Sequence, residues 1–526
     1  MKTETVAAGQ TPQQIAAALE NFLGEHESAV VLEDGKVLFD LRQAKYTLST
    51  EHNRCTLHLW GDDRNLVRRV VSSDLRAKVL RLTTLRFGQT RPQVLEIAAD
   101  RDRRTPSTRE STRTRFLKVV ERALLRHFPD WRAESFRTAM DLEKSFGPAY
   151  ARGLLVRGRT AWAVIAVNDE EALATIDGIL TFGILWLETC RESARERTVA
   201  GLKIIVPEGT GNLTLSRLAW LAGDGWSLLE LDQREERLTE RDPADHGNLS
   251  THLVHAPNRT LARDRFAAAC SRVMAVVPCA FHSVVEQRLR SGTYLAFLLH
   301  GLEFARIRIG AGADSFNRVE EITFGAGAAE SALTPETEND LRELVARLCE
   351  RRAPAGDHRD PLFRMQPERW LEGELRRDLT LLDTKLSPEH IYAQVPAFAA
   401  HDRGMMDLLS IHEDGRLAVI ELKAAEDPQL ALQGLDYWIR VRWHHQQNPD
   451  SATGLGEFQR HGYFGGMRLS PEPPRLYLAA PALRIHPATE VVLRHFSPRV
   501  EWTLAALDER WRSKIKVVWR KRSTDR

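Results

Sequence analysis

Three residues in the last third of the chain have the types and the spacing to do chemistry on a phosphate ester. Asp407 lies in MMDLLSIH (405–412), and Glu421 and Lys423 lie in RLAVIELK (416–423). Glu421 is the odd one, because it interrupts LAVIEL, an apolar run of the kind that is buried on both faces of a sheet. Burying a carboxylate costs on the order of several kcal/mol unless it is paired or bound to a cation. Lys423, two residues on, shares its face and can pair with it. Asp407 supplies a second carboxylate, 14 residues before Glu421. Two hard oxygen ligands with positions left for water and phosphate suit Mg²⁺. Such an ion polarises a phosphate and lowers the pKa of a bound water, and a lysine beside it orients that water and offsets developing charge.

The surrounding elements must bring these groups together. PERWLEGELRRDLTLLD (367–383) reads as a helix with Leu371, Leu375 and Leu379 on one buried stripe and Glu368 and Glu372 on another face. IYAQVPAF (391–398) reads as a strand. MMDLLSIH and RLAVIELK form a hairpin around the turn Glu413–Gly415. Leu417, Val419, Glu421 and Lys423 then share one face by period two. After Pro428, QLALQGLDYWIRVRWHHQQ reads as a helix that places Gln433, Tyr437, Arg440 and His444 along one side.

The order of helix, strand, hairpin and helix, with D-(13 residues)-E-L-K across the hairpin, resembles the PD-(D/E)xK nuclease superfamily. It is most similar to the branch that includes mismatch- and branch-cleaving repair endonucleases and restriction-like enzymes. The resemblance covers about 150 residues; Met406 stands where the family name puts its proline. It implies a restriction-endonuclease-like αβββαβ core, with Asp407 and Glu421 as metal carboxylates and the Leu422 carbonyl completing the shell. It implies Lys423 as the catalytic lysine, Gln433 as the glutamine of the following helix, and Glu372 as the glutamate of the first helix, with Glu374 as the competing choice. The implied cofactor is Mg²⁺ or Mn²⁺. The implied activity is endonucleolytic hydrolysis of DNA, with RNA possible; the other reading is a silent nucleic-acid-binding or scaffold protein.

An echo of this core precedes it. GLLVRGRTAWAVIAVN (153–168) resembles the hairpin, LKIIVP (202–207) resembles LYLAAP (476–481), and WSLLELDQR (226–234) resembles WTLAALDER (502–510). The offset steps from 254 between Leu154 and Leu408 to 274 between Pro207 and Pro481. The extra residues of the second copy belong to 444–466. In this alignment Gly153, Ala166 and Asn168 stand where Asp407, Glu421 and Lys423 do, so the first copy lacks the chemistry. The expected class is therefore α/β with mixed sheets: a strand-rich N-terminal domain with a basic arm (1–112), a degenerate core (113–240), a middle α+β domain (263–352) and the complete core (360–526). A homodimer or an internal pseudo-dimer of the two cores follows as an expectation.

With 526 residues the chain exceeds one ordinary core, and 43% hydrophobic with 28% charged residues is a globular balance. A net charge of +2 gives no global field, so nucleic-acid contacts must be local. Candidates are Arg440, Tyr437 and His444 beside the site, Arg103 and Arg104 in the arm DRDRRTPSTRESTRTR (100–115), read as a solvated loop, and the C-terminal WRSKIKVVWRKRSTDR (511–526). Five scattered cysteines without CxxC argue against zinc modules and disulfides. No apolar run of membrane-spanning length appears, and a cytoplasmic location is the expectation.

Overall fold

The computed structural model describes residues 10–525 apart from 27–28, 34–35, 42–43, 51–53, 61–64, 77–78, 86–92, 100–105, 142–144, 195, 247–250, 312–317, 327–329, 400–404, 448 and 451–452. Two compact units emerge, Met1–Thr112 and Arg113–Arg526. Both are mixtures of helices and sheets, and the described residues contain no helix long and apolar enough to cross a membrane.

In the first unit, α1 (Pro12–Glu25) starts where the Thr11 side chain accepts from the Gln14 amide and Gln14 returns the bond, a capping box. Seven strands follow: β1 (Val30–Glu33), β2 (Lys36–Asp40), β3 (Lys45–Ser49), β4 (Cys55–Trp60), β5 (Asn65–Arg76), β6 (Val79–Leu85) and β7 (Gln93–Ala98). They form one antiparallel sheet in the order β2-β1-β7-β6-β5-β4-β3. Leu57, Leu59, Leu82, Leu95 and Ile97 point to one face and meet Ile15, Leu19 and Phe22 of α1. Alternation in the sequence decides this face.

Helix α2 (Pro106–His127) begins before Arg113 and runs on into the second unit, replacing most of the solvated arm read from the sequence. Proline at the first helical position and the run Phe116, Val120, Leu124 on its buried side account for it. Arg103 and Arg104 lie outside the described residues. Then come β8 (Arg132–Arg137), β9 (Tyr150–Arg157), β10 (Thr160–Val167), α3 (Leu173–Asp177), α4 (Ile179–Ser193), β11 (Thr198–Pro207), α5 (Asn212–Leu218), β12 (Trp226–Asp232) and β13 (Arg237–Arg241). Their sheet runs β13-β12-β11-β10-β9-β8. The polar stretch read as a linker at 233–262 holds β13 and also β14 (Thr251–Leu253), which crosses to a later sheet.

The middle segment forms its own sheet, β15 (Val285–Ser291), β16 (Tyr294–Leu299), β17 (Leu302–Ala311), β18 (Arg318–Phe324) and β19 (Ser331–Ala332), packed on α6 (Arg259–Met274) and α7 (Glu338–Arg351). The remainder comprises α8 (Pro361–Arg364), α9 (Pro367–Arg377), β20 (Tyr392–Ala399), β21 (Met405–Ile411), β22 (Leu417–Leu422), α10 (Leu430–His445), α11 (Glu457–Arg460), β23 (Arg475–Pro481), α12 (Pro487–Arg494), β24 (Trp502–Leu507) and β25 (Val517–Arg522). The last sheet runs β14-β20-β21-β22-β23-β24-β25.

The β8–β13 and β20–β25 sheets carry the same pairing pattern, strand for strand: antiparallel, antiparallel, parallel, parallel, antiparallel. In each, the first helix covers one face, α2 on Leu155, Val164 and Ile205, and α9 on Leu408, Ile420 and Ala479. The opposite faces share one core, in which Ile184, Leu202 and Leu228 join Leu435, Trp438, Leu478 and Leu504. Contacts across it are reciprocal: α4 packs on α12, and α5 packs on α10. Beside a bridge between Leu221 and Phe496, Ala222 N donates to His495 O and Ser497 N to Trp220 O, both at 2.8 Å. That exchange is the signature of a two-fold axis, here within one chain. A buried fork also joins the halves, with Arg217 Nε and Nη2 each 2.8 Å from Asp436.

Candidate active site

Asp407 sits near the start of β21 and Glu421 near the end of β22, so the antiparallel hairpin carries both to one end. Leu408 pairs with Ile420, and the same register sets Asp407 opposite Glu421. Beyond Ile420 the ladder gives way, and Asp407 Oδ2 accepts from the Leu422 amide at 2.9 Å. Glu421 follows Leu417 and Val419 onto the side of β22 that faces α10. The helix comes this close because position 434 is glycine: a Cβ there would lie 2.5 Å from Leu478 and 3.7 Å from the Glu421 Cβ.

Glu421 is 3% exposed, and Lys423 Nζ donates to its Oε1 at 2.9 Å. Its Oε2 is buried with no hydrogen-bond partner among the described residues. Burial, then the charge of Asp407, push the Glu421 carboxyl well above the usual range, against the pull of Lys423. Burial also raises Asp407, opposed by the Leu422 amide and by Lys423. Burial works against the Lys423 charge, but Glu421, Glu368 and Asp407 outweigh it and hold the ammonium above the ordinary lysine range.

Tyr437 reaches the same place from α10, its hydroxyl pushed up by burial and by the charges of Glu421 and Asp407. Gln433, one turn earlier, is half-buried, and its Oε1 has no partner among the described residues. From α9 the structure brings in Glu368. Burial raises its carboxyl, opposed by Lys423, and the Ala424 amide donates to it. Sequence spacing put Glu368 and Glu372 on one helix face, and the resemblance gave the role to Glu372, with Glu374 as the competing choice.

Glu372 is engaged elsewhere. It is 1% exposed, 2.8 Å from Arg288 Nη1 and 2.9 Å from Arg369 Nη1. It still feels the charge of Asp407. Glu374 points away, to His300 and Trp370, both at 3.2 Å. Glu368 is therefore the carboxylate of α9 that faces the Glu421–Lys423 pair, a correction to the choice of Glu372.

His444 is corrected too. It is 2% exposed, with Nε2 2.7 Å from Thr251 Oγ1 and Nδ1 3.0 Å from Glu457 Oε2. It pins β14 and α11 to α10 and is not a surface residue. Arg440 is 5% exposed and lies 5.8 Å from the Tyr437 ring, a wall of the site and not a surface cation. Trp511 is core, and Trp519 is 37% exposed.

The earlier copy lacks the trio, with other residues in its places than the sequence alignment named. Leu202 of β11 occupies the place of Leu476 in β23, and their partners Ala163 and Val419 are equivalent. Ile165 then stands for Glu421 and Val167 for Lys423, not Ala166 and Asn168. Ile165 pairs with Arg152, so Arg152 replaces Asp407, not Gly153. Gly183 of α4 confirms this register, since its Cβ would meet Leu202 and Ile165 as that of Gly434 meets Leu476 and Glu421. Arg152 is 1% exposed, 4.1 Å above the Phe146 ring, its Nη2 donating to Ala139 O at 2.6 Å.

Among the described residues no group of three or more His, Cys, Asp or Glu has the geometry of a metal cluster. No family model matches the sequence, and no curated protein matches it either.

Proposed function

We propose that the α9–β25 segment is a metal-dependent nuclease of the PD-(D/E)xK type with Asp407, Glu421 and Lys423 at its centre. The observation that carries this reading is the buried Glu421 carboxylate: one oxygen bonded to Lys423, the other unpartnered, beside Asp407. A fold keeps such an arrangement at a cost, because desolvated carboxylates side by side repel. A divalent cation removes the cost. The donor set fits Mg²⁺ or Mn²⁺, which are held by one or two carboxylates with the other positions left to water and substrate phosphate. Asp407 and Glu421 would hold the ion, with the Leu422 carbonyl as the third protein donor. When bound it would polarise the phosphate and acidify a water.

The chain's own residues do the rest. Lys423, held as an ammonium, cannot act as a base; it donates to the phosphate and offsets the charge that develops there. Glu368, raised by burial, is placed to accept a proton from the attacking water. The water oxygen bonds to phosphorus, the bond from phosphorus to the leaving oxygen breaks, that oxygen takes a proton from solvent, and Glu368 returns its proton to solvent. Gln433 Oε1 and the Tyr437 hydroxyl border the site and orient the substrate. DNA is the expected substrate, and RNA differs only in the strand supplied.

Purified protein is to be incubated with labelled single-stranded, duplex, flap and mismatched DNA and with RNA, with Mg²⁺ or Mn²⁺, beside Glu421→Ala. Cleavage by the parent alone supports the reading. No cleavage of any substrate, or equal cleavage by the variant, overturns it. The second reading, a silent nucleic-acid-binding protein, draws on the Lys423–Glu421 bond, which closes one ligand oxygen; binding without cleavage in the same assay would favour it.

A further inference from the structure

β14 covers only Ala397–Ala399 of β20. Where it stops, the β20 edge from Tyr392 to Val395 borders a cavity of about 730 Å³. The far wall comes from α6 and β15, and the roof from residues 254–257 and Tyr463. Two chemistries divide this cavity. One side is aromatic, with Tyr392, Tyr463, Phe266 and His255, the last stacked on His461 with centroids 4.4 Å apart. The other is cationic, with Arg288, Arg290 and Arg376.

The cationic wall is held from behind. Arg288 donates through Nε and Nη2 to Glu286 at 2.7 and 2.9 Å and lies 2.8 Å from Glu372. Arg376 pairs with Glu286, and Arg369 pairs with Glu372. Glu286 and Glu372 thus fix Arg288, Arg369 and Arg376 in place, and Arg290 lies on the same wall with Glu303 and Glu372 near it. Guanidiniums whose geometry is set before any ligand arrives favour phosphate. The accessible aromatic rings beside them, Tyr392 and His255, favour a base. The cavity also adjoins the catalytic hairpin. Ala393 and Val395 line it, and they pair with Leu408 and Met406, the neighbours of Asp407. One strand spacing, about 5 Å, separates them. The volume is that of a small-ligand pocket, roughly 300–1,000 Å³. A duplex, with a major groove about 12 Å wide, cannot enter it.

We infer that this cavity holds one unpaired nucleotide of the strand being cut, its base beside Tyr392 and His255 and its phosphate toward Arg290 and Arg376. The centre then acts where the strand is single or splayed beside the scissile bond. The word strand rests on the nuclease reading; nucleotide binding by the cavity does not.

The test uses full-length Glu421→Gln protein, which holds substrate without cutting it, and polarisation of a labelled 12-residue single strand. The single strand binds at least tenfold tighter than the matched blunt duplex, and Ala267→Trp, which fills the cavity from an exposed position of α6, weakens it at least tenfold. Where that variant melts below its parent, Arg290→Gln takes its place with the same expected loss. Equal binding of duplex, or unchanged binding by the variant that melts like its parent, overturns the inference. Free deoxynucleoside monophosphate that binds while the strand does not also overturns it, and marks the ligand as a free nucleotide. Failure of the nuclease reading looks different: no cleavage by the parent, with cavity-dependent strand binding intact.

Discussion

At the scale of single residues, the centre is a conflict between burial and charge. Glu421 and Asp407 are both lifted by desolvation, and Lys423 is the cation that makes their neighbourhood tolerable. On the proposed nuclease reading, Lys423→Ala removes a positioned cation from beside the phosphate, and single-turnover cleavage is expected to fall about 10²–10³-fold. Full cleavage by the variant would remove Lys423 from the mechanism. Glu368 and Glu374 give a sharper contrast, since both lie on α9. Glu368→Gln lowers cleavage about 10²-fold or more, the range for a lost general base. Glu374→Gln leaves cleavage within threefold and lowers the melting temperature, because it loses His300 and Arg377. The reverse ranking would return the role to the other glutamate. The trio was legible in the sequence because a charged residue inside an apolar run announces itself. Glu368 was half-legible: helical spacing put it beside Glu372, but Arg288, 84 residues upstream of Glu372, claims that neighbour, and no local pattern reports such a partner.

At the scale of elements, the site depends on how closely α10 lies on β22 and β23. Gly434→Leu forces side-chain atoms into Leu478 and Leu476, and overpacking of this kind costs about 1–3 kcal/mol. Denaturant melts that show no loss would contradict the close seating. At the far end of the same strands, Arg416, Arg475, Asp414 and Glu501 tie β22, β23 and β24 together, with Arg475 Nε 2.8 Å from Glu501. Burial opposes the Glu501 charge, but hydrogen bonds from Arg475 and Arg416 outweigh it and lower its carboxyl. A depressed folded pKa means stability that is present above the unfolded value, about 4.3, and is lost as pH falls through the folded one. The glutamate is 42% exposed, so Glu501→Gln costs only about 0.5–1 kcal/mol at pH 7 after screening by solvent, and progressively less as pH falls through the folded value. A cost that does not shrink on acidification would assign the effect to packing.

The element order was legible from periodicity, but strand register between the two copies was not. AWAVIAV and LAVIEL are buried on both faces, so alternation carries no sign of which side is which, and a slip of one residue exchanges the faces. That slip put Ala166 in the place held by Ile165. β13 and β14 were missed because edge strands with solvent on one side are built from polar residues, as in RLTER.

At the scale of the whole second unit, the two sheets are not separable modules. They share one apolar core and reciprocal helix contacts, and the Arg217–Asp436 fork is buried between them. Arg217→Ala leaves an unpaired carboxylate there, a loss of about 3–5 kcal/mol, and melts both sheets together. Two separate transitions in the variant would show that the halves fold alone. Repetition was legible as an offset in the sequence, and an internal pseudo-dimer was among the expectations; the residues at the two-fold axis were not legible, because Leu221 and Phe496 meet only after both copies have folded. With Arg152 and Ile165 in the equivalent places, the first half lacks the carboxylate pair of the proposed centre, so that proposal predicts a single ion per chain.

Titration of the purified full chain with Mn²⁺, read by the loss of the free-ion paramagnetic signal, tests that centre most directly. One ion bound per chain, lost in Glu421→Gln and in Asp407→Asn, is the predicted result. No bound ion in the parent, or the same binding in both variants, would contradict it.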